Sequence, residues 1–598
     1  MFLKKIRFRP TIRRFRSIKF SRRVSRTPAS SPFDQDEESA VASLVLQQQQ
    51  HLHHSQQQPH QRRRRRFGTF ERQRLSQPSE LSSSFPSSSS TPPTTTISEG
   101  RLLEIPLLRL PTLQAPPLPL PTSLPSSPPS PSPTTRQVIE RYQDLHQAFD
   151  AFTDKENLKN KARRRAFTRL SVVGKTAESM QEHPVLKILH DRVRSGSQPG
   201  ERQDGYKIGL AIEGGGMRGA VSAGAAAATN LLGLSDAFDA VYGSSAGALI
   251  AAFFVSRQLN GTIIYSDILP AAGKRFLDRT QLIPAMGLLP GLEARPVLNL
   301  QFLEKVVRET VRLDWAEFWK NNQKQPLNIV ASSLDGMESL ALTSERGDWS
   351  CFEGLMQCLK SSMCVPGVAG PPIRLNVTCR VTGEKKEGAF ADALVFEPIP
   401  LKSAVEDGCT HIVTLRTRPD GSEVLGHKVT GIYERFIARR FLAEKHSFGA
   451  AASHMTRFDH LKQYAADLLL LNEGSHAKAG REEGVYVPDG KGGGRVVHLL
   501  PVAPPLGTTE VDTLDSSREA LRRGLKDGFA AAWNLMAPPE LVEAHSGERV
   551  AKELFDCEDV EGFNSTFERF STIFGGGGRG EGKGEWKEVG KMAAAMVE

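Results

Sequence analysis

Two short stretches hold the residues best suited to chemistry. In Gly243-Ser244-Ser245-Ala246-Gly247 a serine stands between two small-residue positions, the Gly-x-Ser-x-Gly spacing of a nucleophile on a sharp strand-to-helix turn. Such a turn needs small neighbours at Gly243 and Gly247, and the helix behind it offers positive dipole charge to a nucleophile losing its proton. Thirty residues earlier runs Gly214-Gly215-Gly216-Met217-Arg218-Gly219, a loop rich in backbone N–H groups and poor in side chains to cover them. A nucleophilic serine and a bed of N–H donors are the parts of an acyl-transfer site.

The elements that position them are legible between Lys207 and Val255. An apolar run, Ile208 to Ile212, reads as a buried strand entering the glycine turn. Small residues from Ala220 to Leu232 read as a helix, Phe238 to Tyr242 as a second strand, and the apolar run ending near Val255 as a second helix. Gly214-x-Gly216-x-x-Gly219 also matches a dinucleotide fingerprint, which requires an acid at the end of the second strand. Asp236 and Asp239 fall at the start of that strand, and its end is occupied by the serine turn. The glycine loop is therefore better read as an oxyanion hole, with a nicotinamide-dependent oxidoreductase a distant alternative.

With GGGMRG on the first turn and GSSAG on the second, the chain resembles the patatin-like phospholipase family. The similarity runs from HPVLKIL at His183, through LKSSMCVPGVAGPPI at Leu359 to Ile373, as far as Arg418. The resemblance implies a three-layer α/β/α fold with a mainly parallel central sheet. It also implies a Ser–Asp dyad that works without histidine; no metal is expected, because no ligand cluster accompanies the serine, and no cofactor is expected. The family's acid precedes a Pro-x-Pro segment, and FADALVFEPIP places it at Asp392. Glu387, in Glu387-Gly388-Ala389, is the other acid nearby, but its spacing to Pro398 does not fit.

The function implied is that of a lipid acyl hydrolase, phospholipase A- or lysophospholipase-like, acting on lipid acyl esters. Ser245 is the nucleophile, Asp392 the general base, and Gly214, Gly215, Gly216, Met217, Arg218 and Gly219 the oxyanion loop. Arg218 either anchors that loop or meets lipid phosphate. Where the family places two small residues after the acid, this chain has Ala393 and Leu394. A turn needing positive φ would disfavour Ala393. That departure motivates a second reading, a catalytically impaired lipid- or partner-binding protein on the same fold. An acyltransferase is a third. His411, His446, His454, His460 and His498 follow Ser245 in the order a Ser–acid–His triad would need, and none has a telling local setting.

The rest of the chain sets bounds. Of 77 Lys/Arg and 67 Asp/Glu, 16 and 4 lie before Phe67, so the net charge of +10 belongs to the N-terminus and 61 bases face 63 acids beyond it. No nucleic-acid partner is expected of so neutral a core. Six cysteines without a Cys-x-x-Cys pair suggest reduced thiols, neither a disulfide framework nor a zinc site. No run is long and apolar enough for a membrane span, so any membrane contact is peripheral. Phe436, Phe441 and Leu442 beside Arg435, Arg439 and Arg440 are the candidate interfacial helix.

Residues 1–134 read as a disordered, basic and low-complexity region. Its first 33 residues hold eleven Lys/Arg and no acid, which suggests a mitochondrial or plastid transit peptide; the alternative is a cytoplasmic or peripheral-membrane protein. Residues 135–205 form a helical lead-in, 206–425 the catalytic domain, 426–574 a helical and mixed extension, and 575–598 a disordered Gly-rich tail. Further elements expected are a helix from Asn299 to Trp315, strands at Leu327–Ser332, Ile373–Leu375, Val377–Val381, His411–Arg416 and Val496–Val502, and helices at Glu353–Met363 and Ser516–Met536. The oligomeric state is not legible.

Overall fold

The structure, a computed structural model, describes residues 183–287, 295–379, 382–422, 424, 431–475, 484–488 and 494–557, with 138–140, 142, 143 and 147 before them. The transit-peptide, low-complexity and C-terminal-tail readings fall outside the described residues, as does most of the helical lead-in.

In chain order the main elements are α1 (Pro184–Ser195), β1 (Ile208–Ile212), α2 (Gly219–Leu231), β2 (Ala240–Ser244), α3 (Ala246–Val255), α4 (Trp315–Asn322) and β3 (Leu327–Ser333). There follow β4 (Glu338–Leu342), α5 (Phe352–Met363), β5 (Ile373–Thr378), β6 (Lys385–Ala391), α6 (Leu401–Glu406) and β7 (His411–Leu415). Then come α7 (Asp459–Ser475), β8 (Val485–Pro488), β9 (Gly494–Val502), α8 (Arg518–Met536) and α9 (Gly547–Phe555).

The strands form one sheet in the order β5-β6-β3-β2-β1-β7-β9-β8, with β4 also paired to β3. Its centre, β3-β2-β1-β7-β9, is parallel throughout. The flanking pairs, β3 with β4 and β6, β5 with β6, and β8 with β9, are antiparallel. Central strands that bury both faces must be apolar on both, and β1, β2, β3 and β7 are buried at every position. Alternation then divides the core. Ile208, Leu210 and Ile212 of β1 join the side holding α2, α3, α5 and α8. Ala211 joins the other, with α6 and α7. The result is a three-layer α/β/α architecture.

Several boundaries differ from those expected. The second strand starts at Ala240 because Ser235–Ala237 coil into a 3₁₀ turn, and it continues to Ser244. The helix expected from Asn299 to Trp315 ends at Thr310, and Asp314 caps a new helix by accepting the Glu317 N–H at 3.0 Å. The two strands expected around Asn376 are one, Ile373–Thr378. The sheet also continues past the boundary expected at residue 425, since β9 pairs in parallel with β7 over five residues. The described residues from 431 to 557 thus supply strands and covering helices to the same fold.

Candidate active site

Ser245 sits where β2 gives way to α3, at φ 54 and ψ −126. A side chain at positive φ costs on the order of 1–3 kcal/mol and persists only where its surroundings enforce it. Here the enforcement is visible. The Ser245 N–H donates to Ser362 Oγ at 2.8 Å, and its carbonyl accepts the Ala248 N–H at 2.9 Å. Ser362 donates its own proton to the Val330 carbonyl at 2.5 Å, so β3 holds the turn through α5. The turn also presses against the glycine loop. A Cβ on Gly247 would lie 2.2 Å from the Ile212 carbonyl oxygen, and one on Gly214 would lie 2.7 Å from Ser245 Cβ. Gly243 and Gly247 flank the serine as expected of the spacing, at the end of β2 and in the first turn of α3.

Asp392 follows β6 and begins a 3₁₀ turn over Ala393–Val395. Its two carboxylate oxygens are used differently. Oδ1 accepts the Leu394 N–H at 2.8 Å, and Oδ2 accepts the Ser245 hydroxyl proton at 2.7 Å. The cap therefore aims the second oxygen at the serine. Asp392 is 1 % exposed, and burial raises its pKa from 3.8 to about 7 against the lowering pull of those two hydrogen bonds. Neither Ala393 nor Leu394 needs positive φ, so the strain expected after Asp392 is absent. Glu387 points away from this site: it lies exposed on β6, 3.5 Å from Arg374.

The six glycine-loop residues divide. Met217 donates its N–H to the Thr513 carbonyl at 3.1 Å, Arg218 to that of Gly215 at 3.2 Å, and Gly219 to those of Gly216 and Met217. Among the described residues no acceptor takes the N–H groups of Gly214, Gly215 and Gly216. The free donors are thus the three that precede Met217. Arg218 turns inward and anchors the loop. It is buried, with Nη1 2.9 Å from Glu510 Oε1.

The histidines lie elsewhere. His411 and His498 stack on each other at the amino end of β7, opposite the end of the sheet that carries Ser245. His454 pairs with the Val395 carbonyl at 2.8 Å, His460 faces Glu434 at 3.6 Å, and His446 packs on Phe441. Among the described residues no histidine bonds to Ser245 or Asp392, and no group of three or more His, Cys, Asp or Glu side chains is placed to hold a metal. Nor, among those residues, is any helix long and apolar enough to cross a membrane. Of the residues around the serine, sequence reasoning missed Ser362 and Glu510. Ser362 stood inside the LKSSM stretch, and nothing local marked Glu510.

No curated protein matches this sequence. Members of the patatin-like phospholipase family are typically serine lipid acyl hydrolases, and that family's model matches residues 210–405, from β1 through α6. Both glycine turns, Ser245 and Asp392 fall inside the match. Residues 210–405 of this chain are a patatin-like phospholipase domain.

Proposed function

We propose that the protein hydrolyses lipid acyl esters through a Ser245 acyl-enzyme. The observation that carries this is the 2.7 Å hydrogen bond from Ser245 Oγ to Asp392 Oδ2, made from a strained turn packed on the glycine loop. Asp392 takes the hydroxyl proton as Ser245 Oγ attacks the acyl carbonyl. The N–H groups of Gly214, Gly215 and Gly216 receive the negative charge that forms on the carbonyl oxygen. Asp392 returns its proton to the departing alcohol. Water then attacks the acyl-serine with the same carboxylate as base, and Asp392 passes that proton to Ser245 Oγ as the fatty acid leaves. A buried base with a pKa of about 7 suits this work, since general-base catalysis is most effective when the pKa lies near the working pH.

Purified protein should take a fluorophosphonate probe on Ser245 and hydrolyse acyl-glycerolipids. Ser245→Ala should lose both, with activity down by at least roughly a thousandfold. Ester hydrolysis that survives Ser245→Ala refutes the assignment. The binding-protein alternative loses its motive with the relaxed turn after Asp392; absence of labelling in folded protein would restore it.

A peripheral membrane contact is supported by the helical segment Tyr433–Lys445. Phe436 is 42 % exposed between exposed Arg435 and Arg439, while Tyr433 and Ile437 bury against the core. Tyr433 Oη donates to the Pro366 carbonyl at 3.1 Å, and in the same loop the Cys364 carbonyl accepts the Asp392 N–H at 2.9 Å. The exposed cationic and aromatic face therefore belongs to the wall beside the base. Sedimentation with anionic vesicles that Phe436→Ser and Arg439→Glu abolish supports the contact, and unchanged sedimentation refutes it.

A further inference from the structure

We infer that the segment Thr508–Leu514, beyond the family-matched residues, braces the glycine loop in its anion-receiving conformation, and that Glu510 is the positioning residue of that brace. The inference rests on the acyl-hydrolase reading for its consequence in catalysis, though not for the brace itself.

Two contacts join the segment to the loop. The Thr513 carbonyl accepts the Met217 N–H at 3.1 Å, and Gly216, at φ 61, approaches so closely that a Cβ would sit 2.8 Å from the same oxygen. Glu510 Oε1 then receives Arg218 Nη1 at 2.9 Å and meets Arg418 Nη1 at 3.2 Å. One carboxylate thus ties the loop's only charged side chain to the chain just past β7.

The start of the loop is fastened from the same strand exit. Buried Glu213 accepts the Tyr464 hydroxyl at 2.6 Å and the Thr417 N–H at 2.9 Å, while Thr417 Oγ1 donates to the Gly214 carbonyl at 3.1 Å. Arg416 lies 3.8 Å from Glu213, and Arg418 stands over the Tyr464 ring at 5.5 Å. Arg218, Arg416 and Arg418 therefore share this buried region with Glu213 and Glu510. Burial would raise the Glu510 pKa, but Arg418 and Arg218 outweigh it and hold the carboxyl below the ordinary glutamate range.

The brace is itself fixed. Val511 and Leu514 are buried, Val511 packs against α8 at Gly524, and Arg279 donates to the Leu514 carbonyl. Deleting the Glu510 charge removes the carboxylate that both Arg218 and Arg418 meet in a desolvated space, where loss of a countercharge is strongly disfavoured. Of their attachments the glycine loop has the fewest side chains to fix its backbone. A displacement of about 1 Å there misplaces the donors that meet the oxyanion, and such shifts cost on the order of 100-fold in rate.

The test uses the full chain, Glu510→Gln and the charge-conserving Glu510→Asp. The readouts are kcat and KM on a soluble short-chain p-nitrophenyl ester, and amide hydrogen exchange of the peptides spanning residues 213–219 and 327–333. Expected is a kcat that falls roughly 10- to 100-fold in Glu510→Gln and less in Glu510→Asp, with KM within about twofold. Exchange should quicken in 213–219 in the same order and stay unchanged in 327–333. In a cycle with Arg218→Gln, the double variant should be no slower than Arg218→Gln alone, because Glu510 acts through Arg218. Wild-type kcat, or unchanged exchange at 213–219, overturns the inference, as does a loss that multiplies in the double variant. Should Glu510→Gln lose protection in 327–333 as well, Glu510→Asp decides by the same two readouts. Should the wild type hydrolyse no ester and take no phosphonate, the acyl-hydrolase reading fails, and exchange alone still decides the brace.

Discussion

Replacing Asp392 by asparagine should remove activity and, in the alkaline range, make the protein more stable. The carboxyl is 1 % exposed, and its pKa is raised by burial from 3.8 to about 7. An acid that binds its proton more tightly when folded releases it on unfolding. Between about pH 3.8 and 7 the unfolded chain therefore carries fewer protons than the folded one, and stability falls as pH rises through that window. A tenfold change in proton affinity is worth about 1.4 kcal/mol, so a rise from 3.8 to about 7 costs about 4 kcal/mol at pH 8 relative to pH 3.5. Asparagine keeps Oδ1 as acceptor for the Leu394 N–H and turns an Nδ2 amide donor toward Ser245 Oγ, without the charge. Urea unfolding of wild type and Asp392→Asn at several pH values isolates the contribution, because every other titrating group cancels in the difference. The stability difference should move in favour of the variant by about 4 kcal/mol from pH 3.5 to 8, with most of the change below pH 7. A difference that stays flat across that range refutes the claim that Asp392 is a buried, ionising carboxyl.

In the proposed mechanism the same carboxyl sets the rate profile. Wild-type kcat/KM should climb with pH through about 7 and level off above it, whereas an acid limb near 4 would show that another group is the base. Ser362→Ala leaves the Ser245 N–H without its 2.8 Å acceptor. The expected loss is about 1–3 kcal/mol of unfolding free energy, with a lower kcat and an unchanged KM; a wild-type melting curve and kcat would remove Ser362 from the turn's support. Gly247→Ala drives a methyl to 2.2 Å from the Ile212 carbonyl and should destabilise by about 3 kcal/mol. Gly449→Ala, with nothing within 4 Å of its Cβ, should be neutral or slightly stabilising, so equal melting shifts in the two variants would contradict the packing described.

What the sequence showed and what it hid follow from the range of the interactions. β1, β2, β3 and β7 were legible because strands buried on both faces are continuous apolar runs, and Ser245 because its spacing to Gly243 and Gly247 is local. β6 begins Lys385-Lys386-Glu387, all exposed, and β4 begins at exposed Glu338, so these flanking strands carry no such run and went unread. The break before α4 was readable in principle, since Asp314 and Glu317 stand at capping-box spacing. Asp392 lies 147 positions from Ser245, Ser362 lies 117 from it, and Glu510 lies 292 from Arg218. No periodicity spans such distances. The family resemblance is what points to Asp392; Ser362 stands inside another stretch of that resemblance with no role attached to it, and Glu510 lies beyond it. Ala393 fits after Asp392 because the turn is a 3₁₀ turn capped by Asp392, which needs no positive φ.

A serine hydroxyl is a poor nucleophile, and an exposed carboxylate is too weak a base to activate it; in the mechanism proposed above both deficits are met by spending stability. The turn at Ser245 stores backbone strain, and the Asp392 carboxyl is buried where its ionised form is disfavoured. Such features survive only in surroundings that are over-determined. Much of that determination comes from outside residues 210–405. α8 packs so closely on α2, the helix that leaves the glycine loop, that a Cβ on Gly528 would lie 1.9 Å from the Val221 carbonyl. β9 completes the parallel centre beside β7. Glu510 and Thr513 close the loop from the stretch between β9 and α8. A chain cut after residue 425 keeps Ser245, Asp392 and all six loop residues, yet loses the helix face, the sheet neighbour and the carboxylate that hold them. Its failure to fold into an active form is therefore expected from packing, even though every residue assigned to the chemistry is present.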